Sequence, residues 1–148
     1  MTVRVLVAVS ALIWAVALGP LRAQVSAEAT SETVLAESSD GVPIAVTIAG
    51  NPDGPELLFL HNYMASTLHW QKQLHGELAE THKLVAGDMR GHGSSGKPWD
   101  RESYLDTQLF ADDVAAAIEA AELEKPVLVA WSYGGLFLMD YVRHYGTD

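Results

Sequence analysis

Residues 127–135 read Val-Leu-Val-Ala-Trp-Ser-Tyr-Gly-Gly, and this segment carries the strongest indication of the fold. Its four apolar residues predict a buried strand over 127–130. The glycine pair and the apolar spacing that follows predict a helix over 134–144. Ser132 therefore lies in a sharp turn between a strand and a helix, at the carboxyl end of the strand.

Two interpretations of Ser132 are open at this point. Serine is common as the N-cap of a helix. A serine in a tight strand–turn–helix is also suited to nucleophilic attack, because the N–H groups and dipole at the start of the helix stabilise a negative oxygen nearby. Such a turn needs small residues two positions before and after the serine, and Ala130 and Gly134 meet that requirement. We therefore predict that Ser132 is a nucleophile.

The preceding residues alternate between strand-like and helix-like patterns. Further strands are predicted over 34–38, 44–49, 57–60 and 83–87, and helices over 67–80 and 104–123. In the helix over 104–123, Asp112 and Asp113 are expected to point outward. The pattern predicts an α/β fold with a mostly parallel sheet and helices on both faces.

The loop after the apolar run 57–60 reads His61-Asn62-Tyr63 and ends at the same edge of the predicted sheet as Ser132. It can present the backbone N–H of Tyr63 beside that of Tyr133. Two converging N–H groups form an oxyanion hole, in which each donor is worth about 3 kcal/mol of transition-state stabilisation.

A glycine-rich loop over 88–95 follows the next strand, and we predict that Asp88 and Arg90 stabilise it by charge-assisted hydrogen bonds. His92 is a weak candidate for a catalytic base, because its glycine neighbours explain the loop without such a role. Residues 91–96 match Gly-x-Gly-x-x-Gly, but loop residues follow where a dinucleotide site needs a helix.

Taken in order, Leu-His-Asn-Tyr, Asp-Met-Arg-Gly-His-Gly-Ser-Ser and Ala-Trp-Ser-Tyr-Gly-Gly resemble the α/β-hydrolase superfamily over nearly all of 34–148. The central loop resembles the branch with esterases, perhydrolases and carbon–carbon bond hydrolases. The resemblance implies Ser132 as nucleophile, Tyr63 and Tyr133 as backbone oxyanion hole, and a small ester or acyl substrate. No cofactor is implied.

The chain departs from the family pattern at two positions. Asn62 replaces a glycine, which asparagine can do because it tolerates left-handed backbone angles, and Ala130 replaces the first glycine of Gly-x-Ser-x-Gly. Serine at position 132 also distinguishes the chain from haloalkane dehalogenases and epoxide hydrolases, which attack with a carboxylate.

A serine nucleophile needs a histidine base and an acid, and in this fold both follow the nucleophile helix. Only 16 residues follow Ser132, and they include Asp140 and His144. His144 would lie about 18 Å along the helix from Ser132. We therefore expect the N-terminal half of an enzyme, inactive by itself. The alternative is a non-catalytic binding protein that keeps half of the fold.

Residues 1–23 have a basic start, an apolar run over 5–18 and a small residue at Ala23, which predicts a secretory signal peptide. A flexible leader over 24–33 is expected to follow, and the protein to be periplasmic or secreted without a stable membrane anchor. The net charge of −10 argues against nucleic acid as a partner. The chain has no cysteine, and its six histidines lack metal-binding spacing, so no metal site is predicted.

Overall fold

The computed structural model describes residues 31–147, and the predicted signal peptide lies outside them. All five predicted strands form, and the first begins at Glu32, inside the predicted leader. The strands are β1 (Glu32–Glu37), β2 (Pro43–Gly50), β3 (Glu56–Leu60), β4 (Lys83–Gly87) and β5 (Val127–Ala130). The α-helices are α1 (Gln71–Leu74), α2 (Thr107–Ala120) and α3 (Gly134–Tyr145).

The strands form one sheet in the order β1-β2-β4-β3-β5. β1 and β4 are antiparallel to β2, whereas β3 runs parallel to β4 and to β5. In this register Leu60 pairs with both Gly87 and Ala130. Three parallel strands therefore end level, and the loops that follow them meet at one edge of the sheet.

Helices cover both faces of the sheet, as predicted. Because side chains alternate across a strand, Leu58 and Leu60 pack toward α2 and α3, where Phe137 is buried. Phe59 points to the opposite face and lies 4.9 Å from Trp70, ring centre to ring centre.

The predicted helix over 67–80 is wrong as a continuous element. The segment forms 3-10 turns at Thr67–Trp70 and Glu77–Glu80, on either side of the four-residue α1. Gly76 interrupts the helical path with a ψ of −168°, and a Cβ there would collide with the carbonyl of Lys72.

The helix predicted over 104–123 is shorter and spans Thr107–Ala120. Its start is set by Asp106, which caps α2 by accepting a hydrogen bond from the Gln108 N–H. The expectation that Asp112 and Asp113 point outward is wrong. Asp113 is completely buried and Asp112 nearly so. Both face hydrogen-bond donors from other elements, among them Arg90 for Asp113 and the Tyr145 hydroxyl for Asp112.

α3 spans the residues predicted for it and packs against α2 and the sheet. Its outer surface, together with β5 and the turn after it, exposes apolar side chains. We call this region the β5–α3 side, and its exposed members are Val127, Trp131, Tyr133, Leu136, Met139, Val142 and Tyr145. None of the helices between residues 31 and 147 has the length and apolar character that a membrane crossing requires.

Candidate active site

Ser132 has a backbone φ of 53°, in the left-handed region that non-glycine residues rarely adopt. Hydrogen bonds on either side hold this conformation. The Trp131 N–H donates to the Leu60 carbonyl at 3.1 Å, and the Gly135 N–H donates to the Ser132 carbonyl at 2.9 Å. The side chain of Ser132 is exposed at the amino end of the 12-residue helix α3. The helix dipole therefore favours negative charge beside it.

The turn around Ser132 needs glycine at position 134, where the sequence predicts a small residue. A Cβ on Gly134 would lie 2.5 Å from the Leu60 carbonyl oxygen and 2.8 Å from that of His61. A Cβ on Gly135 would meet nothing within 4 Å. The turn packs so closely against the end of β3 that position 134 has no room for a side chain. Position 135 has room for one, so packing does not require a glycine there.

The loop after β3 forms a turn in which the Ala65 N–H donates to the Asn62 carbonyl at 3.2 Å. The left-handed residue of this loop is Met64, with φ of 57°, and not Asn62 as the sequence had suggested. The backbone N–H groups of Tyr63 and Tyr133 donate no hydrogen bond to any atom within residues 31–147. The rings of the same two residues lie 5.6 Å apart, so both loops meet beside Ser132.

His61 holds two loops together, a role that the sequence did not predict. Its Nε2 accepts the Met89 N–H at 3.1 Å, so the ring proton is on Nδ1, which donates to the Asn62 carbonyl at 2.8 Å. Burial lowers the pKa of His61, the nearby His92 adds to this, and the bond to Asn62 partly opposes it. His61 thus connects the loops after β3 and β4 as a neutral ring. The only signal in the sequence is a histidine directly after a buried strand.

Asp88 stabilises the two loops near Ser132, as predicted. Its Oδ1 accepts the Thr67 N–H at 2.6 Å and its Oδ2 accepts the Ser94 N–H at 2.7 Å. Gly93 allows the loop to pass so closely that a Cβ there would collide with the carboxylate.

Arg90 stabilises the same loop through more distant partners. Its guanidinium donates to both carboxylate oxygens of Asp113, at 2.8 and 2.7 Å, and to Asp40 at 2.8 Å. The Arg90 side chain is fully buried. Burial alone would lower the pKa of Arg90, but the hydrogen bonds to Asp113 and Asp40 outweigh it and raise the pKa. The hydrogen bond from Arg90 lowers the pKa of Asp40.

Within residues 31–147, no histidine or carboxylate is hydrogen-bonded to the Ser132 hydroxyl. His144 lies in the last turn of α3, where its Nε2 is 3.0 Å from the Thr107 hydroxyl. His92 contacts the Arg90 carbonyl through Nδ1, at 3.1 Å. The same described segment holds no cluster of three or more histidine, aspartate or glutamate side chains suited to a metal ion.

A serine in a left-handed strand–turn–helix, beside a loop with free N–H groups at the same sheet edge, defines the nucleophile turn of α/β hydrolases. Residues 55–148 match the family model of the alpha/beta hydrolase fold, and the chain belongs to this family.

Relatives in this family include enzymes with esterase names. The chain is 37% identical over 111 residues to the bifunctional esterase/perhydrolase DCH of Acinetobacter calcoaceticus, covering 75% of this chain and 39% of that protein. It is 42% identical to the structure of a protein from Burkholderia cenocepacia proposed to be an aryl esterase (TM-score 0.75), over 78% of this chain and 43% of that one. The structure of the esterase RhEst1 from Rhodococcus sp. is 39% identical, with a TM-score of 0.72 and coverage of 78% and 42%. The chain thus spans less than half the length of these relatives.

Proposed function

We propose that this protein is a serine hydrolase for small ester or acyl substrates, with Ser132 as its nucleophile. The observation that carries the proposal is the strained turn at Ser132, where φ is 53°. Strain of this kind costs about 1–2 kcal/mol and persists where the surrounding structure enforces it. A simple N-cap serine does not need a left-handed backbone.

The chemistry follows from the atoms at this edge. Ser132 Oγ bonds to the substrate carbonyl carbon, and the carbonyl oxygen becomes negative between the N–H groups of Tyr63 and Tyr133. The bond from carbon to the alcohol oxygen then breaks, and the alcohol takes the proton that Ser132 has lost. Water attacks the acyl-serine, releases the acid and returns the proton to Ser132.

Both proton transfers need a base that residues 31–147 do not place at Ser132. Residues 1–30 contain no histidine. We propose that the histidine and its carboxylate partner come from polypeptide outside these 148 residues. The coverage of 39% of the Acinetobacter relative supports this proposal. The 148-residue chain alone is then expected to be inactive.

Hydrolysis of p-nitrophenyl acetate tests the assignment, with the 148-residue chain compared with any longer product of the same reading frame. In the longer protein, Ser132→Ala is expected to lower kcat/KM by about 10³-fold or more. Ser94→Ala is the matched control, because that side chain is exposed in the neighbouring loop. Full activity of the longer Ser132→Ala variant would reject the nucleophile, and turnover by the short chain at the rate of the longer protein would reject the missing base.

The alternative function is a non-catalytic binding protein, favoured by the lack of a base hydrogen-bonded to Ser132. It predicts that the longer product is also inert toward p-nitrophenyl acetate and toward a fluorophosphonate that labels activated serines. Labelling at Ser132 would exclude it.

We also propose that the protein is exported, on the basis of the apolar run over 5–18 and Ala23. Mass spectrometry of protein recovered from the source cells tests this. A mature N-terminus at or near Gln24 is expected, and an intact Met1 in a cytoplasmic fraction would contradict the proposal.

A further inference from the structure

A cavity of about 590 Å³ opens beside Ser132, on the side of the two tyrosines. This volume lies within the range of small-molecule sites in proteins, about 300–1,000 Å³. Six of its eleven lining residues carry aromatic rings. These are Tyr63, His92, Tyr104, Phe110, Tyr133 and Phe137.

Four of these rings pack in a row. Tyr133 lies edge-on to Phe137, with 5.3 Å between ring centres and 88° between planes. Phe137 in turn lies 5.4 Å from Phe110, and Tyr63 lies 5.6 Å from Tyr133 at 64°. Aromatic rings attract one another in edge-to-face and offset arrangements at these distances. A ring of the ligand can therefore pack favourably against this cluster.

The lining contains no carboxylate, and its arginine is already paired. Arg90 contributes to the lining, but its side chain is fully buried and its guanidinium is held by Asp113 and Asp40. The Tyr104 hydroxyl donates to the Pro98 carbonyl at 3.0 Å. An ammonium group in this cavity would lose water without gaining a counter-ion, which is costly.

We infer that this cavity binds an aromatic substituent of the substrate carbonyl. The inference rests on the proposed function, because Tyr63 and Tyr133 provide both the oxyanion N–H groups and part of the cavity wall. A carbonyl oxygen at those N–H groups directs one of the two substituents of the carbonyl into the cavity. The substrate class is therefore an ester with an aryl or arylalkyl group.

Binding to the 148-residue chain tests the inference without any need for turnover. The probes are phenylacetamide and acetamide, which differ by one aromatic ring. NMR titration is expected to give at least about tenfold tighter binding of phenylacetamide than of acetamide, with shifts at the Tyr63 and Tyr133 amides. Equal affinity for phenylacetamide and acetamide would overturn the inference.

A matched pair of variants locates the site. Ala65 lines the cavity, so Ala65→Leu is expected to weaken phenylacetamide binding by about tenfold. Met139→Leu is the control, because Met139 is exposed on α3 outside the cavity. Thermal melts of both variants establish that they remain folded. Unchanged binding in a folded Ala65→Leu variant would overturn the site.

Failure of this inference can be separated from failure of the proposed function. Ser132 is not part of the cavity wall, so Ser132→Ala is expected to bind phenylacetamide normally. In a protein with turnover, the isomers methyl phenylacetate and benzyl acetate show whether the acyl or the alcohol group fills the cavity. Preference for either over methyl acetate supports the inference, and no preference rejects it while leaving Ser132 as nucleophile.

Discussion

The β4 region and the β5–α3 side of this molecule are built on different principles. β4 lies inside the sheet, and four of its five residues are buried. The loop after it holds a buried cation, Arg90, with two carboxylates. β5 is an edge strand of the described sheet and has no buried residue. Around it, Trp131 is 57% exposed and Met139 is 66% exposed.

The difference shows which part of the site the described residues complete. In the β4 region, hydrogen bonds of Asp88, His61 and Arg90 hold the loop after β4 and connect it to the oxyanion loop. Ser132 projects from the β5–α3 side, where within residues 31–147 no second strand pairs with β5. An exposed apolar edge strand has unpaired backbone N–H and C=O groups, so it can pair with further polypeptide or promote aggregation. This agrees with the proposal that the base arrives from outside the described segment.

The largest expected effect comes from comparing an arginine substitution in the β4 region with one on α3. Arg90→Ala should lower the free energy of unfolding by about 3–5 kcal/mol, because Asp113 is left as an unpaired buried carboxylate. Arg143→Ala on the exposed surface of α3 should change it by less than about 0.5 kcal/mol. Urea denaturation followed by circular dichroism measures both. Equal losses would mean that the buried cluster does not stabilise the fold more than a surface charge does.

A second, smaller effect compares two adjacent glycines at the start of α3. Gly134→Ala should destabilise the fold by about 1–3 kcal/mol, because its Cβ would press on the end of β3. Gly135→Ala should be neutral or stabilising by up to about 1 kcal/mol, because Ala is the better helix former and the space is open. The same urea experiment applies to both variants. If Gly134→Ala proved as stable as Gly135→Ala, the turn would not be packed tightly against β3.

Most of the site-forming edge could be predicted because its signals are local. Three apolar runs end at Leu60, Gly87 and Ala130, and the observed strands end at the same residues. The turn at Ser132 also follows from neighbouring residues, since Gly134 is needed by its immediate surroundings.

The errors arise where a distant partner decides. Helical spacing places Asp113 on the solvent side of its helix. In the structure Asp113 is buried and pairs with Arg90, which lies 23 positions earlier. The role of His61 depends on Met89, 28 positions later. The break in the helix over 67–80 depends on how Gly76 turns the chain, and an isolated glycine in an apolar helical pattern does not predict a break.

The smallest effect concerns His61 and the pH dependence of stability. Burial lowers its pKa in the folded state below the ordinary value of 6.5. At pH values well above 6.5 the ring is neutral in both states, and its contribution is fully present. As the pH falls through 6.5, the unfolded chain binds a proton that the folded chain does not, so stability is lost toward the folded-state pKa.

His61→Gln should cost about 1 kcal/mol at pH 8, because one of the two ring hydrogen bonds is lost, and should lose less stability than the parent between pH 8 and pH 5.5. His82→Gln is the control, because His82 precedes β4 at the opposite end of the sheet and leaves His61 and its neighbours Asp88 and His92 intact. Urea denaturation at the two pH values provides the measurement. If the His61 variant lost as much stability on acidification as the parent and the control, His61 would not be a buried ring that stays neutral in the folded state.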